Sequence, residues 1–193
     1  MFSNLSAGAL GLTLDHPTAV ELAVKHGFGG VDPDLGHFRG LGSTAAVAEY
    51  AEWVRERGLR WGIAGLPVPL TAPAEEFRTA LAELPEKLEL LTAAGVTSVG
   101  TWIRPMHDDL PYRRNWVLHV SRLTLVADLL KDAGLRLGLE YIGPKTFWST
   151  ERFPFIHSIG EALELIADVG ATNVGLILDS YHWYTAGEQA IDL

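Results

Sequence analysis

Two apolar runs of this chain stop on carboxylates. Residues 135–140, LRLGLE, end at Glu140; residues 174–179, VGLILD, end at Asp179, and His182 follows three residues later. Two carboxylates at strand ends, joined by an imidazole, form a donor set that suits a hard or borderline divalent cation such as Mg²⁺, Mn²⁺ or Co²⁺. The chain contains no cysteine, so thiolate zinc sites, thiol nucleophiles and disulfides are excluded. Taken alone, Asp-x-x-His is a weak pattern and Glu140 could be a solvated residue at a loop start. The weight comes from their agreement on neighbouring strands.

Other residues could serve the same region. TWIRPMHDD places Trp102, Arg104 and His107 at the end of a strand and in its loop. GPKTFWSTERFPFIH is a long aromatic-rich excursion, in which Phe147, Trp148 and Phe153 either close over a ligand or pack on neighbouring loops. Trp183 and Tyr184 beside His182 either stack on a sugar face or plug the rim. Asp32 and Asp34 flank Pro33, where turn chemistry is the simpler reading. His16, His26 and His119 fall in predicted helices and carry no assigned role.

The elements that position these residues follow one pattern. Apolar runs of strand length (AGALGLTL, GGVDPDL, LRWGIAGLPV, VTSVGTWIRP, LRLGLE, NVGLILD) alternate with longer segments of helical period. In HPTAVELAVKHG, Val20, Ala23 and Val24 form one face and Gly27 ends the helix; Ser43 and Gly58 bracket another. Pro85 should break or kink the helix that carries Leu81, Leu84, Leu88 and Leu91. Short connections between alternating strands and helices predict a parallel sheet covered by helices, either doubly wound or a (β/α) TIM-type barrel. No glycine-rich phosphate loop follows any strand, and polar residues gather at many strand ends at once, which favours the barrel. A barrel has eight strands over about 250 residues. Six are found here, so residues 1–193 read as a single barrel domain, incomplete and truncated after strand six.

Composition excludes several classes. A net charge of −9 argues against nucleic-acid binding. No apolar run reaches the ~20 residues of a membrane span. The N-terminus lacks a basic region ahead of its apolar stretch, so no secretory signal is expected and a cytoplasmic location is.

At GLEYIG and LDSYHWY, and in strand number, order and spacing throughout, the chain resembles the xylose-isomerase-like barrel superfamily of sugar phosphate isomerases and epimerases. The resemblance implies a divalent metal bound by Glu140 and Asp179, with His182 beside the substrate and Glu140 also a catalytic acid/base. It implies pocket-lining roles for Trp102, Arg104 and His107. The remaining two ligands of that family, on strands seven and eight, have no counterpart, so a weakly held or absent metal is expected. The expected activity is isomerisation or epimerisation of a sugar, sugar phosphate or polyol by proton abstraction next to a carbonyl. Alternatives are a keto-sugar or inosose lyase or dehydratase on the same scaffold, phosphodiester cleavage as in the DNA-repair relatives, which the acidic charge opposes, and an inactive partial barrel. Open barrel edges would call for a homo-oligomeric partner.

Overall fold

The computed structural model describes residues 1–192. The chain divides into two compact units, Met1–Pro67 with Ala82–Val99, and Val68–Leu81 with the residues from Gly100 onward.

In the first unit three short strands, β1 (Asn4–Leu5), β2 (Gly30–Val31) and β3 (Arg60–Trp61), pair in parallel in chain order. Asn4 stands opposite Gly30 and Gly30 opposite Arg60. Helices α1 (His16–Lys25), α2 (Leu35–Gly40) and α3 (Thr44–Glu56) lie in the connections, and β4 (Ala64–Gly65) follows. Each helix starts where a side chain accepts an otherwise unpaired backbone N–H. Asp15 accepts from Thr18 N at 2.8 Å, Asp34 from His37 N at 3.0 Å and Ser43 from Ala46 N at 3.1 Å. Leu5, Val20, Ala23, Val31, Val54 and Leu59 form the core of this unit. Pro85 does break its helix: α4 (Ala74–Ala82), nearly all in the second unit, ends before α5 (Leu84–Ala93) begins. Pro85 sits in the first turn of α5, where a missing N–H costs nothing.

Two expectations for this unit are corrected. The first strand is not AGALGLTL but Asn4–Leu5, and Gly8–Leu10 form a 3₁₀ turn. Gly11 takes φ 71° and its N–H closes on Gly8 O at 3.0 Å, so local turn bonds replace the ladder, and Leu10 and Leu12 are left exposed. Val24 is also exposed, unlike Val20 and Ala23, because it lies one residue outside the buried stripe of α1.

In the second unit, which takes β5 (Ser98–Trp102) from Gly100 onward, β5, β7 (Arg136–Glu140) and β9 (Val174–Ile177) lie in that order in one sheet. The β7–β9 pair is parallel, from Leu137 opposite Val174 to Glu140 opposite Ile177. Between β5 and β7 come β6 (Met106–His107) and α6 (Tyr112–Asp132). After β7 come α7 (Lys145–Trp148), β8 (Phe153–Pro154), α8 (Ile159–Val169), then β9, α9 (Ser180–Thr185) and a 3₁₀ turn at Ala190–Asp192.

Leu123, Val126, Ala127 and Leu130 of α6, with Leu165 of α8, are fully buried, as are Leu137 and Leu139 of β7. Asn173 fastens the turn into β9, its amide donating to Ala127 O at 2.9 Å and Leu135 O at 3.1 Å. Arg122 is buried too; its Nη1 donates to Leu70 O and Ala72 O, both at 2.7 Å, and its guanidinium lies over the Phe77 ring. Among the described residues no helix is long and apolar enough to cross a membrane.

Candidate functional site

Strand β7 delivers the first site residue. Side chains alternate across a strand, so burying Leu137 and Leu139 against the helices turns Glu140 to the opposite face. There the carboxyl is half-buried. Loss of solvent pushes its pKa up; the neighbouring His182 ring pulls it back, and the Asp179 carboxylate adds to the rise.

Strand β9 delivers the other two through α9. Asp179 is the N-cap of α9, and its Oδ1 accepts from Tyr181 N at 2.7 Å and His182 N at 3.4 Å. That contact caps the first turn, and the His182 ring lies beside the two carboxylates. Ligand atoms of Glu140, Asp179 and His182 all lie within 4.8 Å of one another. A cation about 2.0–2.2 Å from each N or O donor needs those donors no more than about 4.4 Å apart, a side-chain adjustment away. His182 Nδ1 is buried with no hydrogen-bond partner, a deficit that a cation or a polar substrate group would relieve. The donor set fits a divalent cation.

Glu140 and His182 form the polar end of a cavity of about 430 Å³. Trp102, Phe147 and Tyr181 form its aromatic wall, with Ile142 and Pro144 beside them. Trp102 and Phe147 meet edge to face with ring centres 6.3 Å apart.

Arg104 and His107 are not on that wall. Arg104 is ion-paired with Glu151. His107 Nδ1 accepts from the backbone N–H groups of Asp109 and Leu110 at 3.0 and 3.1 Å. Both belong to a fastening between the loops after β5 and β7. There β6 pairs antiparallel with β8, Met106 opposite Pro154 and His107 opposite Phe153. Phe155 N donates to Pro105 O at 2.7 Å, and Arg152 N to Asp108 Oδ1 at 3.2 Å. The long loop after β7 is thus pinned, and its Phe147 meets Trp102.

Of the aromatics weighed from the sequence, Phe147 lines the cavity. Trp148 instead donates to Gly143 O and stacks on His157, and Arg152 covers Phe153. Trp183 and Tyr184 do not line it; Tyr184 is exposed, and Tyr181 takes the place expected of them. A short helix beginning at Ser180 projects Tyr181 and His182 together, which a strand continued past Asp179 would not. Asp34 caps α2, the local chemistry expected of it, whereas Asp32 accepts from Asn4 Nδ2 at 2.6 Å, a contact across the sheet rather than within the turn.

Sequence and fold comparisons agree with this geometry. An inosose isomerase from Halalkalibacterium halodurans is 31% identical over 74 residues, 38% of this chain and 24% of that protein. A xylose isomerase domain protein from Alicyclobacillus acidocaldarius superposes with a TM-score of 0.80 at 32% identity, covering 91% of this chain and 62% of that one. The IOLI protein with a bound zinc atom superposes with a TM-score of 0.78 at 19% identity, a likeness of fold, covering 100% of this chain and 67% of that one. The chain therefore spans a quarter of the curated relative and under two thirds of the Alicyclobacillus protein. The profile described as Xylose isomerase-like TIM barrel matches residues 20–193. With that match over most of its length, the chain belongs to the xylose isomerase-like TIM barrel family.

Proposed function

We propose that this chain carries the cation-holding and proton-abstracting part of an isomerase or epimerase acting on a sugar or polyol next to a carbonyl. One observation supports this most: Glu140, Asp179 and His182 converge within 4.8 Å of one another, and Glu140 and His182 form the polar end of an aromatic-walled cavity. The inosose isomerase likeness points the same way, since an inosose is a cyclic polyol ketone. Its C–H face would lie on Trp102, Phe147 and Tyr181, leaving the carbonyl side toward Glu140.

Glu140 acts as the base. Its pKa, raised by burial, lies nearer the range in which a carboxylate both takes and returns a proton efficiently. The proton leaves the carbon beside the carbonyl for a Glu140 oxygen; the C–H electron pair becomes the C=C bond, and the carbonyl pair moves to oxygen. Return of a proton from solvent to the opposite face of the same carbon, with the oxygen pair re-forming the C=O bond, inverts that carbon; return of the Glu140 proton to the former carbonyl carbon, while the hydroxyl on the first carbon passes its proton to the enolate oxygen and becomes the new C=O, moves the carbonyl. A divalent cation held by Glu140, Asp179 and His182 would supply Lewis-acid stabilisation of the negative oxygen. Arg104 and His107 serve by holding the two loops that bring Trp102 and Phe147 together.

The test is deuterium incorporation from D₂O into a panel of inososes and ketoses by the Mn²⁺-loaded protein, read by NMR. Exchange at the carbon next to the carbonyl, lost in Glu140→Gln, is expected. Glu140→Gln exchanging as fast as the parent would overturn the assignment, and loss of water from the substrate would make the enzyme a lyase.

A further inference from the structure

The segment that follows Glu140 and the helix that carries His182 are in unusually close contact. A Cβ built on Gly143 would stand 2.1 Å from His182 O, 2.9 Å from Ala186 N and 2.9 Å from Thr185 Oγ1. Gly143 therefore lies flat against one turn of α9, three residues after Glu140. A second contact joins the same two pieces. The Tyr141 hydroxyl, on a fully buried ring, donates to Glu188 just past α9, and the other Glu188 oxygen accepts from Ile159 N at the start of α8. Tyr141 is the residue directly after Glu140. The middle and the C-terminal end of α9 are thus held against the chain that leaves β7.

Neither Gly143 nor Glu188 is a ligand candidate, and Gly143 has no side chain to offer a substrate. Asp179 caps the N-terminus of α9, but a cap alone sets only the first turn. What fixes the distance from His182 to Glu140 is the contact of α9 with residues 141–143. We infer that Gly143, with the Tyr141–Glu188 clamp, is the positioning device of this site: it seats α9 so that His182 and Asp179 face Glu140 before any ligand arrives. The inference rests on the reading of those three residues as one cluster, and it names residues outside that cluster that set its spacing.

The consequence is quantitative. An alanine at 143 forces His182 O back by about 1.3 Å to reach ordinary van der Waals contact, and a misplacement of about 1 Å can already cost about 10²-fold in a site whose groups must act together. Gly160→Ala is the control, because a Cβ there meets nothing within 4 Å.

Two readouts separate this inference from the proposed function. The first is Mn²⁺ affinity, from the EPR signal of free Mn²⁺. The second, which needs no metal, is amide exchange in α9, where Ala186 N–H is bonded to His182 O at 3.0 Å. Gly143→Ala is expected to weaken Mn²⁺ at least tenfold and to speed exchange at Ala186 at least tenfold, with β7 and β9 amides unchanged; Gly160→Ala should do neither. Tyr141→Phe introduces no clash and releases one anchor, so it should move both readouts in the same direction by about threefold, and it decides the matter should Gly143→Ala fail to fold. Parent-like exchange and affinity in a folded Gly143→Ala, or in Tyr141→Phe if the alanine variant does not fold, would overturn the inference. If the parent binds no Mn²⁺, the cation reading falls, and α9 exchange alone still judges the positioning role.

Discussion

His119 offers the sharpest quantitative test, because its pKa is displaced far and its side chain is almost wholly buried. It lies on α6 with its ring 4.8 Å from that of Phe155, the residue whose N–H ties the loop after β7 to Pro105. Burial, chiefly, pulls its pKa from 6.5 down to about 4; the Nδ1 hydrogen bond to Asn115 O opposes this only in part. The native state thus holds a neutral ring while the unfolded chain takes up a proton below about pH 6.5, so stability falls as the pH drops. The contribution is complete above pH 6.5 and is lost progressively down to about pH 4. At 1.36 kcal/mol per pH unit this amounts to about 2 kcal/mol by pH 5 and about 3 kcal/mol by pH 4. His119→Leu removes the titration and leaves no carbonyl unpaired, because Asn115 O also lies within the helical ladder of α6. Urea unfolding of parent and variant at pH 7.5 and pH 5 reads the difference directly, since every other titrating group is common to both. The parent should lose about 2 kcal/mol more than the variant over that interval. Equal losses would refute the claim that this histidine is held neutral in the native state.

Further outcomes follow from the same geometry. Asp179→Asn keeps a good N-cap and removes a ligand charge, so Mn²⁺ affinity should fall at least tenfold by EPR with the melting temperature unchanged, whereas Asp179→Ala should add a stability loss of about 1 kcal/mol. Because burial raises the Glu140 pKa, protons compete with the cation from a pH above the usual 4.5, so Mn²⁺ affinity should begin to fall above pH 4.5 as the pH is lowered, and affinity unchanged down to pH 4.5 would count against the burial argument. Arg122→Met leaves Leu70 O and Ala72 O without their donor and removes the cation over Phe77, so urea unfolding should show a loss of about 3 kcal/mol.

How far the sequence discloses this site depends on the range of the interaction that makes each part. Glu140 and Asp179 stand at strand ends in the sequence pattern, Glu140 after a strand that buries Leu137 and Leu139, and Asp179 after one whose residues are only partly buried. Their neighbourhood was legible because adjacent parallel strands bring their C-terminal ends together whatever lies between. Helix limits set by one side chain on one N–H, such as Ser43, or by a break at Pro85, were equally local and came out as expected. The first strand was misplaced because AGALGLTL has the apolarity of a strand, while its glycines permit a turn that satisfies the backbone locally. The loop fastening was invisible for the opposite reason. Met106–His107 and Phe153–Pro154 are two residues each, too short for any period, and they pair only because β5 and β7 already hold the roots of both loops together. Arg104 and His107 therefore looked like substrate contacts, since a cation and an imidazole in a strand-end loop carry no mark of what they will meet. Gly143 lies at the limit of this argument. As a letter it is one of 20 glycines, and its consequence exists only once α9 has folded back upon it. The candidate ligands are thus written in local pattern, while the contact of Gly143 with α9 is one that no local pattern contains.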